Sequence, residues 1–216
     1  MTAVGIPTTG AGPAARTTSN RWIALTGVLF ALLLGAAVVM TSGEPAAKNA
    51  TKVQAWVVKH SSLIGGSFVI TTAAVIVGLL FLVWLHSHLG RDGGWLGSLF
   101  LVGVVVFALS GAVGAGIDAA LSQDTKHLST DTVQTLASLG QNLNYPMTCI
   151  GLALMYLAAG FLIRRTGLLP GWLSWVSWLF ALLAASIVLG FVPLAGSALW
   201  MIVVGIYLAA RPPVEG

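Results

Sequence analysis

From Trp172 to Ala210 the chain carries no charged residue. As one helix at ~1.5 Å per residue this run would reach roughly 58 Å, while the hydrocarbon core of a bilayer is about 30 Å thick. Backbone in lipid must satisfy its own hydrogen bonds, so the run has to be helical and has to turn back. Gly190, Pro193 and Gly196 supply the break between spans at about 172–192 and 194–210. Shorter apolar blocks at about 22–41, 63–85, 96–121 and 146–163 add four more. The expected fold is all-α, a polytopic transmembrane bundle of six helices occupying residues 21–211.

Composition agrees. The chain is 57% hydrophobic and 7% charged, where soluble domains carry about 25% charged residues. Too few charges remain to coat a water-facing surface. Residues 1–20, with Gly, Pro and Thr and no apolar period, read as a disordered tail. The block after Arg21 exceeds the ~7–15 residues of a signal h-region, so it reads as an uncleaved span.

The positive residues set an orientation. Arg16, Arg21, Arg91, Arg164, Arg165 and Arg211 fall on one side of the six-span topology, and Lys48, Lys52, Lys59 and Lys126 on the other. Glu44, Asp118, Asp124 and Asp131 share the lysine side. The positive-inside rule then places both termini in the cytoplasm, in a plasma (bacterial inner) membrane. Trp22, Trp84, Trp95, Trp172 and Trp175 lie at inner helix ends, as an interfacial belt requires. The outer loops, 42–60 and 122–145, are the long ones. In the second, Asp131 and Gln134 suggest a capped short helix with Val133, Leu136 and Leu139 along one stripe. That helix either lies on the outer surface or extends the fourth span, with Pro146 at the join.

The third span ends in Ser110-Gly-Ala-Val-Gly-Ala-Gly-Ile-Asp118. Gly111, Gly114, Ala115 and Asp118 share one helix face, a surface of small residues for helix packing that ends in a carboxylate. Asp118 lies about 33 Å along the helix from Trp95, at the outer rim rather than the midplane. Lys59, His60, Asn142, Asn144 and Tyr145 sit at outer helix ends too, with Gln141 beside them. Together with Asp118 they form the candidate ligand-binding set. A carboxylate that merely packs near water is the competing account. His60, Asp118, Asp124 and His127 have irregular spacing for a metal site, so neither metal nor cofactor is expected. Cys149 is the only cysteine and reads as an apolar packing residue.

Two octets echo each other: Gly90-Arg-Asp-Gly-Gly-Trp-Leu-Gly97 and Gly167-Leu-Leu-Pro-Gly-Trp-Leu-Ser174. Each leads from an even-numbered span into an odd one, as in a duplicated hairpin. Tight turns that select Gly or Pro before an interfacial Trp are the preferred account.

No nucleophile elbow, phosphate loop, dinucleotide fingerprint or paired glycosidase acids occur, so an enzyme is the least favoured class. The basic residues are too few and dispersed for nucleic acid. Two classes remain: a structural or regulatory subunit that packs against another membrane protein or a second copy, and a small-molecule or lipid-binding, transport-like protein with an outward pocket around Asp118. The first is preferred, since no charge lies at the midplane. The basic inner rim implies contact with membrane lipids.

Gly-Val-Leu-Phe early in the first span, the long outer loop before the second, and Gly-Leu-Leu-Pro-Gly-Trp-Leu-Ser-Trp at 167–175 resemble a family of bacterial multi-pass membrane proteins common in actinobacteria, a domain of unknown function. The resemblance implies the topology and carries no activity or site residues with it.

Overall fold

The computed structural model describes residues 13–45, 49–90, 93–123, 128–186 and 191–211, with the side chains of 13–20 and 191–193 left aside. Its elements are α1 (Pro13–Met40), α2 (Ala50–Leu89), α3 (Trp95–Gln123), α4 (Thr130–Leu139), α5 (Tyr145–Thr166), α6 (Gly171–Ala185) and α7 (Phe191–Ala210). A π-helical turn, Gly140–Asn144, joins α4 to α5 without a break. The chain is thus all-helical, with six helical rods, and no strand occurs among the described residues. Four of the rods are long and apolar enough to cross a membrane; α6 and α7 are apolar but shorter.

The rods form a closed circuit in the order α1, α2, α3, α5, α6, α7 and back to α1, with α6–α7 the thinnest seam. Glycine keys the circuit. The Phe81 ring occupies the space a Cβ on Gly27 would need, and the Phe30 ring does the same at Gly78, so α1 and α2 exchange rings. Gly103 and Gly151 bring α3 and α5 into backbone contact: a Cβ on Gly103 would lie 2.5 Å from the Met155 nitrogen. On α5 and α6, Gly160 receives Trp178, and on α7 Gly196 receives Phe180. Gly205 of α7 meets the Ala24 carbonyl oxygen of α1, 2.8 Å from where its Cβ would stand. Lipid offers no hydrophobic drive between helices, so dispersion at such close approaches holds the rods together.

One half of the circuit is filled. Phe81, Phe100, Leu152, Met155, Tyr156, Leu162 and Trp200 are buried there. The Trp200 indole donates to Ser177 Oγ at 3.0 Å, and the Tyr156 ring meets Trp200 edge-on at 5.4 Å.

Several boundaries differ from expectation. α1 begins at Pro13, so helix reaches into the stretch read as a tail; proline is well placed at a first helical position. α2 begins at Ala50, not after residue 60, capped by Asn49, whose side chain accepts from the Lys52 N–H. It runs 40 residues with an interruption at His60 (φ −113°, ψ 18°). A straight helix of that length would span ~60 Å, twice the hydrocarbon core. The segment before His60 instead closes over one end of the bundle with α4. There Val53, Val57, Ile64, Leu121, Val133 and Ala137 make a second core. Ser129, rather than Asp131, caps α4, accepting from the Thr132 N–H at 3.2 Å. Leu139 is exposed and Ala137 takes its expected place in the stripe.

Pro146 explains the π turn. Its ring would clash with the carbonyl four residues back and it has no N–H to donate, so the helix widens just before it. α6 ends at Ala185 and α7 begins at Phe191, with 187–190, including Gly190, outside the described residues; Pro193 and Gly196, expected at the break, are inside α7.

The octets fold differently. In the first the positive-φ glycine is Gly94 (58°), directly before α3. In the second it is Gly167 (64°), four residues before α6. The likeness is one of composition, not of turn geometry.

Candidate functional site

Between the second core and the filled half of the bundle lies a cavity of about 830 Å³. Its floor is apolar: Phe30, Ala74, Phe107 and Leu152 close it, with Phe30 and Phe107 edge to face at 6.1 Å. Asp118 stands at the opposite end, about 16 Å farther along α3 than Phe107. Trp56, from the part of α2 before the kink, and Ala137 of α4 close over this mouth.

Oxygen atoms gather toward the mouth. Asp118 Oδ2 accepts a hydrogen bond of 3.1 Å from Ser67 Oγ, which joins α3 to α2. Gly43 (φ 90°) takes a conformation other residues rarely adopt, and it turns the chain leaving α1 so that Glu44 also lines the cavity. Gln141 hydrogen-bonds the Glu44 side chain, and its Nε2 donates to the Pro45 carbonyl at 3.4 Å. Lower down, Thr148 Oγ1 lies 2.9 Å from Ser110 Oγ and 3.0 Å from the Asn144 carbonyl oxygen. Asn144 lines the cavity too, and its side-chain Oδ1 is shut off from solvent with no hydrogen-bond partner.

The electrostatics are one-sided. Glu44 and Asp118 line the cavity, and no Lys, Arg or His does so among the described residues. Glu44 is solvent-exposed as a residue, yet the protein around its carboxyl removes enough water to raise its pKa. The Asp118 charge raises it further, and the Gln141 hydrogen bond acts the other way.

Of the expected site residues, Asp118, Asn144 and Tyr145 meet in this cavity with Gly111 and Gly114. Lys59 and Asn142 are exposed and line no part of it. His60 sits at the α2 kink with its ring on Trp56 at 4.8 Å and Nδ1 2.9 Å from the Trp56 carbonyl oxygen. It reaches the cavity only through that indole. Ala115 is buried, while Gly111 and Gly114 make room for Val75 and for the Asn144 amide, each with an atom 2.7 Å from the would-be Cβ. Among the described residues no three His, Cys, Asp or Glu side chains group to hold a metal; Asp124 and His127 lie outside them.

Glu44, Ser67, Ser110, Thr148 and Trp56 are the site residues that sequence reasoning missed. Ser67 and Thr148 carried a signal, as hydroxyls inside apolar runs. Glu44 carried none beyond its sign.

The apolar helices mark the chain as a membrane protein, an all-α bundle with an acid-rimmed cavity. No family model, curated protein or solved structure matches it.

Proposed function

We propose that this is a six-span plasma-membrane protein, both termini cytoplasmic, whose outer cavity binds an amphipathic molecule with a cationic nitrogen head. The observation that carries the proposal is the pairing of one apolar floor with a mouth bearing two carboxylates and, among the described residues, no counter-charge. A carboxylate removed from bulk water gains most from a cation that brings its own N–H donors. Asp118 and Glu44 place two carboxylates at the head end, and the distance down to Phe107 suits an alkyl or aromatic tail. The volume lies within the ~300–1,000 Å³ typical of small-ligand sites. Orientation rests on the charge asymmetry, with Arg21, Arg164, Arg165 and Arg211 at the end away from Asp118.

The test compares decylammonium, decanol and decanoate as ligands for the purified protein in mild detergent, read by thermal shift. Decylammonium alone should stabilise the wild type, and Asp118→Asn should abolish that response while keeping the helical content. Equal stabilisation by all three, or an unchanged response in Asp118→Asn, overturns the proposal.

A second role, assembly with another membrane protein or a second copy, is favoured by one observation. Ala112, Gly116 and Ala120 of α3 are exposed at four-residue spacing, a small-residue stripe facing outward. Cross-linking from a cysteine placed at Ala112 tests it; no covalent dimer in native membranes would remove it.

A further inference from the structure

The end of the bundle away from the cavity holds a second concavity, of about 790 Å³, between the close of α5, the 167–170 turn, the start of α6 and Tyr207 of α7. Arg164 lines it. Its guanidinium carbon lies 5.0 Å from the Trp175 ring centroid and 5.5 Å from that of Trp178, so the charge rests on two indoles. Gly160 makes this shelf possible, because the Trp178 ring fills the space of its missing side chain. Arg211 lies beside the same concavity, over the Tyr207 ring at 5.6 Å, with Nη1 3.5 Å from the phenol oxygen. Arg165 donates instead to the Gly93 carbonyl and is committed to the α2–α3 turn.

Among the described residues no acid lines this concavity, and the described acids Glu44, Asp118 and Asp131 belong to the other end; Asp92, Asp124 and Glu215 lie outside the described residues. Cation–π contact leaves the N–H edge of a guanidinium free to donate, because the ring takes only its face. Trp172 and Trp175 border the concavity and are 55% and 62% exposed, at the end of apolar helices where indoles sit among headgroups. Ile163 and Leu169 supply an apolar wall.

We propose that this concavity is a binding site for an anionic phospholipid, its phosphate held by Arg164 with Arg211 alongside and its glycerol and upper chain against Trp172 and Trp175. A soluble phosphate would use the same donors but none of the indole surface.

The full-length protein in mild detergent, titrated with phosphatidylglycerol or phosphatidylcholine and read by native mass spectrometry, provides the test. Phosphatidylglycerol should be retained over phosphatidylcholine. Arg164→Gln should weaken that retention about fivefold, the scale of one arginine at a lipid surface. Arg211→Gln should weaken it less, and serves as the second variant if Arg164→Gln does not fold. Arg21→Gln removes a charge at the same end but outside the concavity, and should leave retention unchanged. Equal loss in Arg21→Gln means diffuse attraction and overturns the site, as does unchanged retention in both Arg164→Gln and Arg211→Gln. Displacement of the lipid by millimolar inorganic phosphate would make this a soluble-phosphate site and equally end the lipid proposal.

Discussion

Ser67 Oγ donates to Asp118 Oδ2 at 3.1 Å, and this bond holds the α3 carboxylate against α2. The serine is 2% exposed, so its hydroxyl is fixed in place before any ligand arrives. Ser67→Ala leaves the charge of Asp118 but frees its rotamer. Affinity for decylammonium should fall about three- to tenfold, the worth of one hydrogen bond, while selectivity for the ammonium over decanoate persists. A variant that loses selectivity as well would show that the serine, not the acid, reads the head group.

Glu44 gives a pH dependence whose sign is fixed. Its carboxyl has a raised pKa in the folded protein, chiefly through desolvation and then through Asp118. The folded state therefore binds the proton more readily than the unfolded chain, and the contribution of Glu44 to stability rises as pH falls toward the ordinary glutamate value of 4.5. Glu44→Gln should accordingly be more stable than wild type at neutral pH, with the gap closing at pH 4.5 and below. Thermal unfolding of both proteins across that interval checks this; a gap that widens on acidification contradicts it.

Gly151 faces α3 with its would-be Cβ 2.6 Å from the Phe107 nitrogen. Neither backbone can yield as a side chain would, so Gly151→Ala should cost about 1–3 kcal/mol, the usual range for overpacking. Gly116→Ala, with nothing within 4 Å of its Cβ position, should be neutral in the monomer. Unfolding in a graded denaturing detergent compares the two directly.

The core shared by α4 and the first part of α2 is separate from that of the rods. Val133 is fully buried there, and Val133→Ala should destabilise that region by about 1–3 kcal/mol. Hydrogen exchange should rise in 130–139 and 50–59 while the span centres stay protected. Uniform loss of protection would show that cap and bundle unfold as one unit.

The six rods were legible in the sequence because apolar blocks of bilayer length leave few alternatives. The cap was not. Lys52, Gln54 and Lys59 make 50–60 resemble a loop, although Val53 and Val57, four apart, already described one buried helical face. Asp118 was legible as a site because a carboxylate ending a small-residue face stands out. Its neighbours were only half legible, since Glu44 arrives through the conformation of Gly43 and Lys59 stands on an exposed face of α2 just before the kink at His60. Gly103 and Gly151 were hidden among 26 glycines with no local sign of which would meet backbone.

The π turn at Gly140–Asn144 has a consequence for how this chain can change over time. In an unbroken α-helix the azimuth of α4 would be locked to that of α5, since each residue advances about 100°. The wider turn inserts a phase shift, so the face α4 offers to Val53 and Val57 is set separately from the face α5 offers to Gly103. Deleting one residue from 140–144 would let the turn close to ordinary α-helix with Val133 still near its seat, because a π turn holds about one residue more than an α turn. The joint can therefore absorb a one-residue indel while cap and bundle both keep their register.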